Sequence, residues 1–258
     1  QQMGAGIVMI GGDRAFGAAP ELVGEMGSAT IGGLQDNMVV ACGKHFPGHG
    51  DTATDSHKEL PVVDAGLQRL RDTEFPPFQQ AIRYGVASLM TAHVLYRALD
   101  PEAPATLSSA VIQRLLREEF RYEGVVFTDD LEMHAIIDHD GIGEAAVRSF
   151  VAGCDVLLIC KDQDRVMTAM QAMERAVKDG RITQERLDQS LARVAKLKVR
   201  YLHPYKPVTI SDARLVVGCR SHKVLLDSWH KAYARIPKPT LVERGQAAPA
   251  HDSPVTHV

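Results

Sequence analysis

Fourteen consecutive residues, Lys44-His45-Phe46-Pro47-Gly48-His49-Gly50-Asp51-Thr52-Ala53-Thr54-Asp55-Ser56-His57, carry three histidines, two aspartates and a lysine. The glycines and proline among them exclude regular structure, so this is a shaped loop dense in titratable groups. Three readings are open. It is a polar surface loop with incidental histidines. It is a metal site, since His45, His49, His57 and the aspartates offer nitrogen and oxygen ligands; against this, no His-x-His pair stands at a strand end and Lys44 would bring a positive charge beside the cation. Or Asp55 and His57 form a dyad, in which the carboxylate two residues away fixes the tautomer of an imidazole acting as general acid and base near neutral pH. A dyad needs a nucleophile from elsewhere. The stretch Val125-Val126-Phe127-Thr128-Asp129-Asp130-Leu131 supplies one, because a carboxylate at a strand end can attack the anomeric carbon of a sugar and hold a covalent intermediate. Neighbours on an extended segment point to opposite sides, so one of Asp129 and Asp130 faces the site. A plainer role for the pair is capping the turn after Leu131.

The elements that must carry these residues follow from the hydrophobic pattern. Short apolar runs alternate with helical stripes from Met38 to Cys160, the signature of βα units and a parallel sheet. The expected strands are Met38 to Cys42, Ala87 to Thr91, Gly124 to Thr128 and Val156 to Cys160. Leu67, Leu70, Phe78, Ala81 and Ile82 mark a helix that Pro76 and Pro77 kink or divide. Ser108 or Ser109 caps another, with Ile112, Leu115, Leu116 and Phe120 as its stripe. A third runs from about Gly143 to Ala152. Val166, Met170, Met173 and Val177 form a stripe ending at Gly180, with the methionines expected as core filler. Thr183 then caps a helix through Leu187, Leu191, Val194 and Leu197. Ionisable groups follow three of the strands: Lys44 and His45, then His93, then Asp129 and Asp130. Parallel sheets bind ligands at their C-terminal strand ends, so the three sets are aimed at one mouth.

Composition excludes several classes. The chain has 258 residues, 45% hydrophobic and 24% charged, with a net charge of −3. It lacks the basic surplus by which nucleic-acid binders displace counterions, and it has no apolar run long enough to span a membrane. Cys42, Cys154, Cys160 and Cys219 are scattered, so they read as buried free thiols in a reducing compartment rather than as a disulfide framework or a zinc site. The opening Gln1-Gln2-Met3 leads within a few residues to Ile7-Val8-Met9-Ile10, without the parts of a signal peptide, and a cytoplasmic location is expected. From about Ile236 onward, Pro237, Pro239, Pro249 and Pro254 among polar residues give a tail expected to be disordered.

Lys44-His45-Phe46-Pro47-Gly48-His49-Gly50, Asp55-Ser56-His57 and Phe127-Thr128-Asp129-Asp130-Leu131-Glu132-Met133 together resemble the bacterial β-N-acetylhexosaminidases of glycoside hydrolase family 3. Gly11-Gly12-Asp13-Arg14-Ala15-Phe16-Gly17 looks like the family's Gly-Asp-Arg-Ser-Phe segment, and the resemblance spans about Gly12 to Leu202. Family 3 β-glucosidases share a Lys-His-Phe-like element but lack the Asp-x-His loop, which points to N-acetylhexosaminides. The resemblance implies an α/β fold, a (β/α)8 TIM barrel, and a retaining mechanism without metal or other cofactor. In it Asp129 matches the nucleophile, His57 the acid/base, and Asp55 the residue orienting that histidine. Arg14, Lys44 and His45 match groups holding the non-reducing N-acetylglucosamine. His93 matches a further position lining the site, although a satisfied core histidine describes it equally well. The implied substrate is a small carbohydrate, N-acetylglucosaminyl fragments of peptidoglycan.

The motifs sit early. The Lys-His-Phe loop follows the fifth strand of the family's barrel, yet here it begins at residue 44. About the C-terminal half of the barrel is therefore expected over residues 1–205, with a linker-like helical segment over 206–235 and the tail over 236–258. An incomplete chain, a defective product, or a half-barrel completed by dimerising would each produce this arrangement. An active glycosidase and an inactive sugar-binding remnant share the same motifs.

Overall fold

The computed structural model describes residues 16–48, 60–204 and 207–234, and only the backbone of 138–140 and 233. The chain forms two compact units, one running through Tyr201 and one from Leu202 onward. The first is built on a four-stranded, all-parallel sheet in the order β1 (Cys42–Phe46), β3 (Ser88–Thr91), β5 (Val125–Asp130), β6 (Val156–Leu158). Two short segments, β2 (Val62–Val63) and β4 (Leu95–Tyr96), pair in parallel beside it. Each strand of the main sheet leads into helix, so the unit is a run of successive β/α units of the (β/α)8 barrel type.

α1 (Pro20–Gln35) precedes the sheet and packs on α3 (Phe75–Arg83). A Cβ at Gly24 would collide with the Gln80 side chain, so a glycine there lets the two helices approach closely. The expected first helix is two, α2 (Leu67–Asp72) and α3, and the break comes before the prolines. Pro76 and Pro77 sit in the first turn of α3, where a missing N–H costs nothing. Ala110–Glu119 is wound with i→i+5 bonds, and Ser108 Oγ accepts from Val111 N at its start (3.2 Å). The core between helices and sheet centres on Phe46, which meets the rings of Phe78 and Phe120 edge-on at 5.2 and 6.0 Å.

Several expectations need correction. The first strand is Cys42–Phe46, not Met38 to Cys42. Met38 and Val39 instead end α1, donating to the carbonyls of Gln35 and Leu34, and both side chains are exposed. Helix termination outcompeted their β propensity. The last strand stops at Leu158 rather than Cys160. The helix expected from Gly143 is α4 (His134–Ala152), which starts about two and a half turns earlier and bends at Gly141 (φ 67°). In α5 (Gln163–Lys178) the buried residues are Ala169 and Ala176, with Met173 packed beside them, while Met170 is half exposed. α6 (Gln184–Leu202) buries Arg186, Ser190 and Tyr201, and Leu191 is exposed. The Thr183 cap is present, its Oγ1 accepting from Arg186 N at 3.1 Å. Of the cysteines only Cys154 is buried; Cys160 is exposed, and Cys42 and Cys219 are intermediate.

Arg186 turns inward because acceptors await it: Phe150 O (3.0 Å), Cys154 O (2.7 Å) and Ser190 Oγ (2.7 Å), with a carboxylate just beyond them. Asp155, just before β6, accepts from Arg117 (2.7 Å), Arg193 (3.1 Å), Ser190 Oγ (2.6 Å) and Val126 N (3.0 Å), with Arg186 at 3.7 Å. This knot ties α6 and the Ala110–Glu119 helix to the N-terminal ends of β5 and β6. In the second unit, α7 (Ile210–Val216) opens with a Thr209–Asp212 capping box, and α8 (Arg220–Tyr233) carries Trp229 exposed.

Candidate active site

Asp129 lies near the end of β5, and its register decides where its carboxylate goes. Val126 packs in the core under the helices, so alternation turns Phe127 and Asp129 to the other face of the sheet. Asp130 points away and its Oδ1 accepts from Glu132 N (3.1 Å), the turn-capping role expected for one member of the pair. Opposite Asp129, the β1–β3 register slips between Lys44 and Phe46, which leaves His45 as the extra residue of a bulge. Bulges re-aim side chains. Here Phe46 goes to the core while His45 Nε2 comes within 3.2 Å of Asp129 Oδ2. Lys44 and His45 are thus inside the strand rather than after it, Lys44 half-buried and His45 buried.

Burial works to raise the Asp129 pKa. The hydrogen bond and charge of His45 and the N–H of Asp130 (2.8 Å) outweigh it and hold the carboxyl well below the ordinary range. Asp129 is therefore an ionised, oriented carboxylate at neutral pH, in the state a nucleophile requires.

His93 is fully buried behind this pair. Its Nε2 lies 2.9 Å from the carbonyl oxygen of Asp130, which can only accept, so Nε2 carries the proton. Nδ1 is 2.8 Å from Thr106 Oγ1, and Thr106 Oγ1 is 2.9 Å from Thr91 Oγ1. Burial pushes the His93 pKa down, against the pull of Asp129, which favours the neutral ring; its Nδ1 and Ala92 O (3.0 Å) then share the one Thr106 hydroxyl proton, and Thr91 can donate to the Thr106 oxygen. Both ring nitrogens of His93 have partners within the protein. Its Nε2 fixes the carbonyl of Asp130, next to the carboxylate-bearing residue.

Two residues missed in the sequence complete the setting. Glu132 is buried and accepts from the N–H groups of Cys160 (2.9 Å), Lys161 (2.6 Å) and Asp162 (3.2 Å), clamping the segment after β6. This bonding takes the backbone of 160–162 out of the sheet and explains why β6 ends early. Tyr96 donates its hydroxyl to Gly48 O (2.6 Å) at the entry to the histidine-rich loop, and burial keeps that phenol protonated. At Gly48 itself (φ 139°) a Cβ would meet Glu74 Cβ at 2.6 Å, so only glycine fits. No pattern of spacing marks Glu132 or Tyr96, because their partners are far away in sequence.

Arg14, His49, Asp55 and His57 lie outside the described residues. Of the expected site residues the structure brings together Asp129, His45 and His93, with Lys44 beside them on β1. Among the described residues no group of three His, Cys, Asp or Glu side chains is placed to hold a metal, and no helix is long and apolar enough to cross a membrane.

Comparison with known proteins identifies the family. Residues 9–197 match the Glycosyl hydrolase family 3 N terminal domain. A Beta-hexosaminidase of Nitrosomonas eutropha is 38% identical over 189 residues, covering 72% of this chain and 54% of the relative. A second, from Alkalilimnicola ehrlichii, is 39% identical over 169 residues, covering 66% and 48%. Among solved structures, a family 3 beta-N-acetylglucosaminidase from Paenibacillus sp. superposes with TM-score 0.73 at 46% identity, over 75% of this chain and 37% of that one. A fungal multi-domain family 3 beta-N-acetylglucosaminidase gives TM-score 0.80 at 32% identity, over 86% and 27%. The chain spans about half the length of the curated relatives it matches. An ionised aspartate at the end of a parallel strand, held by a histidine from the neighbouring strand, thus sits within the matched region, and the chain belongs to glycosyl hydrolase family 3 through its N-terminal domain.

Proposed function

We propose that this chain carries the catalytic machinery of a retaining β-N-acetylhexosaminidase that removes terminal, non-reducing β-linked N-acetylglucosamine from peptidoglycan fragments. The observation that carries the reading is the Asp129 carboxylate, ionised and fixed by His45 at the C-terminal end of β5. Asp129 attacks the anomeric carbon, the bond from that carbon to the leaving oxygen breaks, and His57 gives its proton to that oxygen. His57, oriented by Asp55, then takes a proton from water, whose oxygen displaces Asp129 and releases the sugar. Lys44 and Arg14 bind the hydroxyls of the sugar. His45 is shared between substrate and nucleophile. The relatives named Beta-hexosaminidase and beta-N-acetylglucosaminidase support the substrate class.

The test is hydrolysis of 4-nitrophenyl β-N-acetylglucosaminide by the 258-residue chain. Turnover is expected, insensitive to chelators, and Asp129→Ala is expected to reduce it by at least about three orders of magnitude, the scale of losing a covalent nucleophile. A 2-fluoro sugar substrate should leave a mass adduct on the peptide containing Asp129. A folded wild-type chain that neither turns over nor labels is the remnant instead.

A further inference from the structure

β4 (Leu95–Tyr96) is two residues long, yet both ends of the stretch that carries Asp55 and His57 are tied to it. On one side the Tyr96 hydroxyl donates to Gly48 O at 2.6 Å. On the other, β4 pairs with β2, where Leu95 N donates to Pro61 O (2.9 Å) and Arg97 N to Val63 O (3.3 Å). Residues 49–59 therefore begin and end beside points held by one short strand.

That strand is fixed in turn to the nucleophile's side of the site. Three positions before Tyr96, His93 Nε2 bonds Asp130 O (2.9 Å), and before it Ala92 N donates to Phe46 O (2.8 Å) at the end of β1. Val94 O accepts from Ala105 N (2.9 Å). Tyr96 is 1% exposed, so water does not compete for its bond to Gly48 O. Glu74, buried at the start of α3, closes the other side of Gly48, where a Cβ would meet it at 2.6 Å.

We propose that Tyr96 is a positioning residue for the proton-transfer steps: with the backbone of β4, it holds both roots of the stretch bearing His57 at a fixed remove from Asp129. The proposal rests on the reading of His57 as acid/base. A general acid works only within hydrogen-bond reach of the oxygen it protonates, and a misplacement of about 1 Å can cost about 100-fold in rate. Tying both ends of a stretch to one strand removes much of the conformational freedom it would otherwise have. The single proton of the Tyr96 hydroxyl is spent on the Gly48 carbonyl, so the residue acts through the backbone and touches no reacting atom.

The test compares kcat/KM of the full chain for two N-acetylglucosaminides that differ in the leaving group. Phenol needs a proton from the acid as it departs, whereas dinitrophenolate leaves as the anion. Tyr96→Phe, which keeps the buried ring, is expected to lower the phenyl-to-dinitrophenyl ratio about tenfold. Gly48→Ala, which displaces the same root from the Glu74 side, should lower it in the same sense. Both substrates meet the same folded molecules, so a loss of stability alone leaves the ratio unchanged. His57→Ala is the reference and should lower the ratio about a hundredfold. An unchanged ratio in Tyr96→Phe beside a reduced one in His57→Ala overturns the positioning role and leaves the assignment of His57 standing. An unchanged ratio in His57→Ala overturns that assignment and the proposal with it, as does a folded wild-type chain that cleaves neither substrate.

Discussion

Asp129, His45 and His93 form a graded set in which each side chain settles the state of the next. The carboxylate is depressed and the buried histidine behind it is kept neutral, two shifts with different consequences for pH. Because the folded pKa of Asp129 lies below its ordinary value of 3.8, the stability it contributes is present above that value and is lost as pH falls toward the folded one. The acid limb of a rate profile between pH 4 and 7 should therefore not report Asp129. His93 is also depressed, from 6.5, so the unfolded chain takes up its proton first, and folding stability should fall as pH drops below about 6.5. Urea unfolding at a series of pH values checks this: His93→Gln, which retains a donor for Asp130 O, should flatten the slope just below pH 6.5. His93→Ala strands that carbonyl, while Thr106 keeps Ala92 O and Thr91 as partners, and should cost about 1–3 kcal/mol at pH 8 as well as lowering kcat. An unchanged urea midpoint and kcat in His93→Ala would remove its positioning role.

Strand ends place these residues, and one strand end is set by an acid that does no chemistry. Glu132 replaces sheet pairing with three charge-assisted bonds to consecutive N–H groups, and so turns the chain after β6 past the Asp130 end of β5. Glu132→Gln keeps the size but offers one acceptor oxygen for three donors. Amide exchange at Cys160, Lys161 and Asp162 should quicken at least tenfold while the centre of β5 stays protected; uniform acceleration would show that global unfolding, not the clamp, was changed. The same bonds explain what the sequence could not disclose. Apolar runs located three of the four main strands, because burial on both faces of a parallel sheet leaves a hydrophobic run whatever the exact register; the run from Met38 to Cys42 meets β1 only at Cys42. The ends shifted where backbone groups found other partners: Met38 and Val39 in the α1 terminus, Cys160 on Glu132. The bulge that turns His45 toward Asp129 depends on pairing with β3, and no local pattern records it. Nor does helical spacing show which face of α6 is buried, since Arg186 outweighs Leu191 only through Phe150 O, Cys154 O, Ser190 and the charge of Asp155.

At the scale of the whole sheet, the two ends divide the work. The C-terminal ends hold Asp129 and His45, and the N-terminal ends are held by Asp155, in keeping with barrels whose chemistry and stability occupy opposite faces. Asp129 and its neighbours were legible because the chemistry requires particular residue types in short stretches. Asp155 was not, because its meaning lies in Arg117, Ser190 and Arg193, brought from 35 to 38 residues away by the fold. The division is testable by exchange of roles. Asp155→Asn leaves the buried Arg117 without its charge partner and should cost about 3–5 kcal/mol of folding stability. The kcat/KM per folded molecule, measured well below the unfolding transition, should stay within about twofold of wild type. Asp129→Asn should abolish turnover and, because its depressed pKa is a stability contribution at neutral pH, lower the thermal midpoint as well, though less than Asp155→Asn does, since its side chain is partly solvated. With the two sites at opposite ends of β5 and no shared partner, the stability changes should add in the double variant to within about 0.5 kcal/mol. A larger coupling would mean that the knot at Asp155 reaches the nucleophile through the strand, and that the two ends of the sheet are not independent.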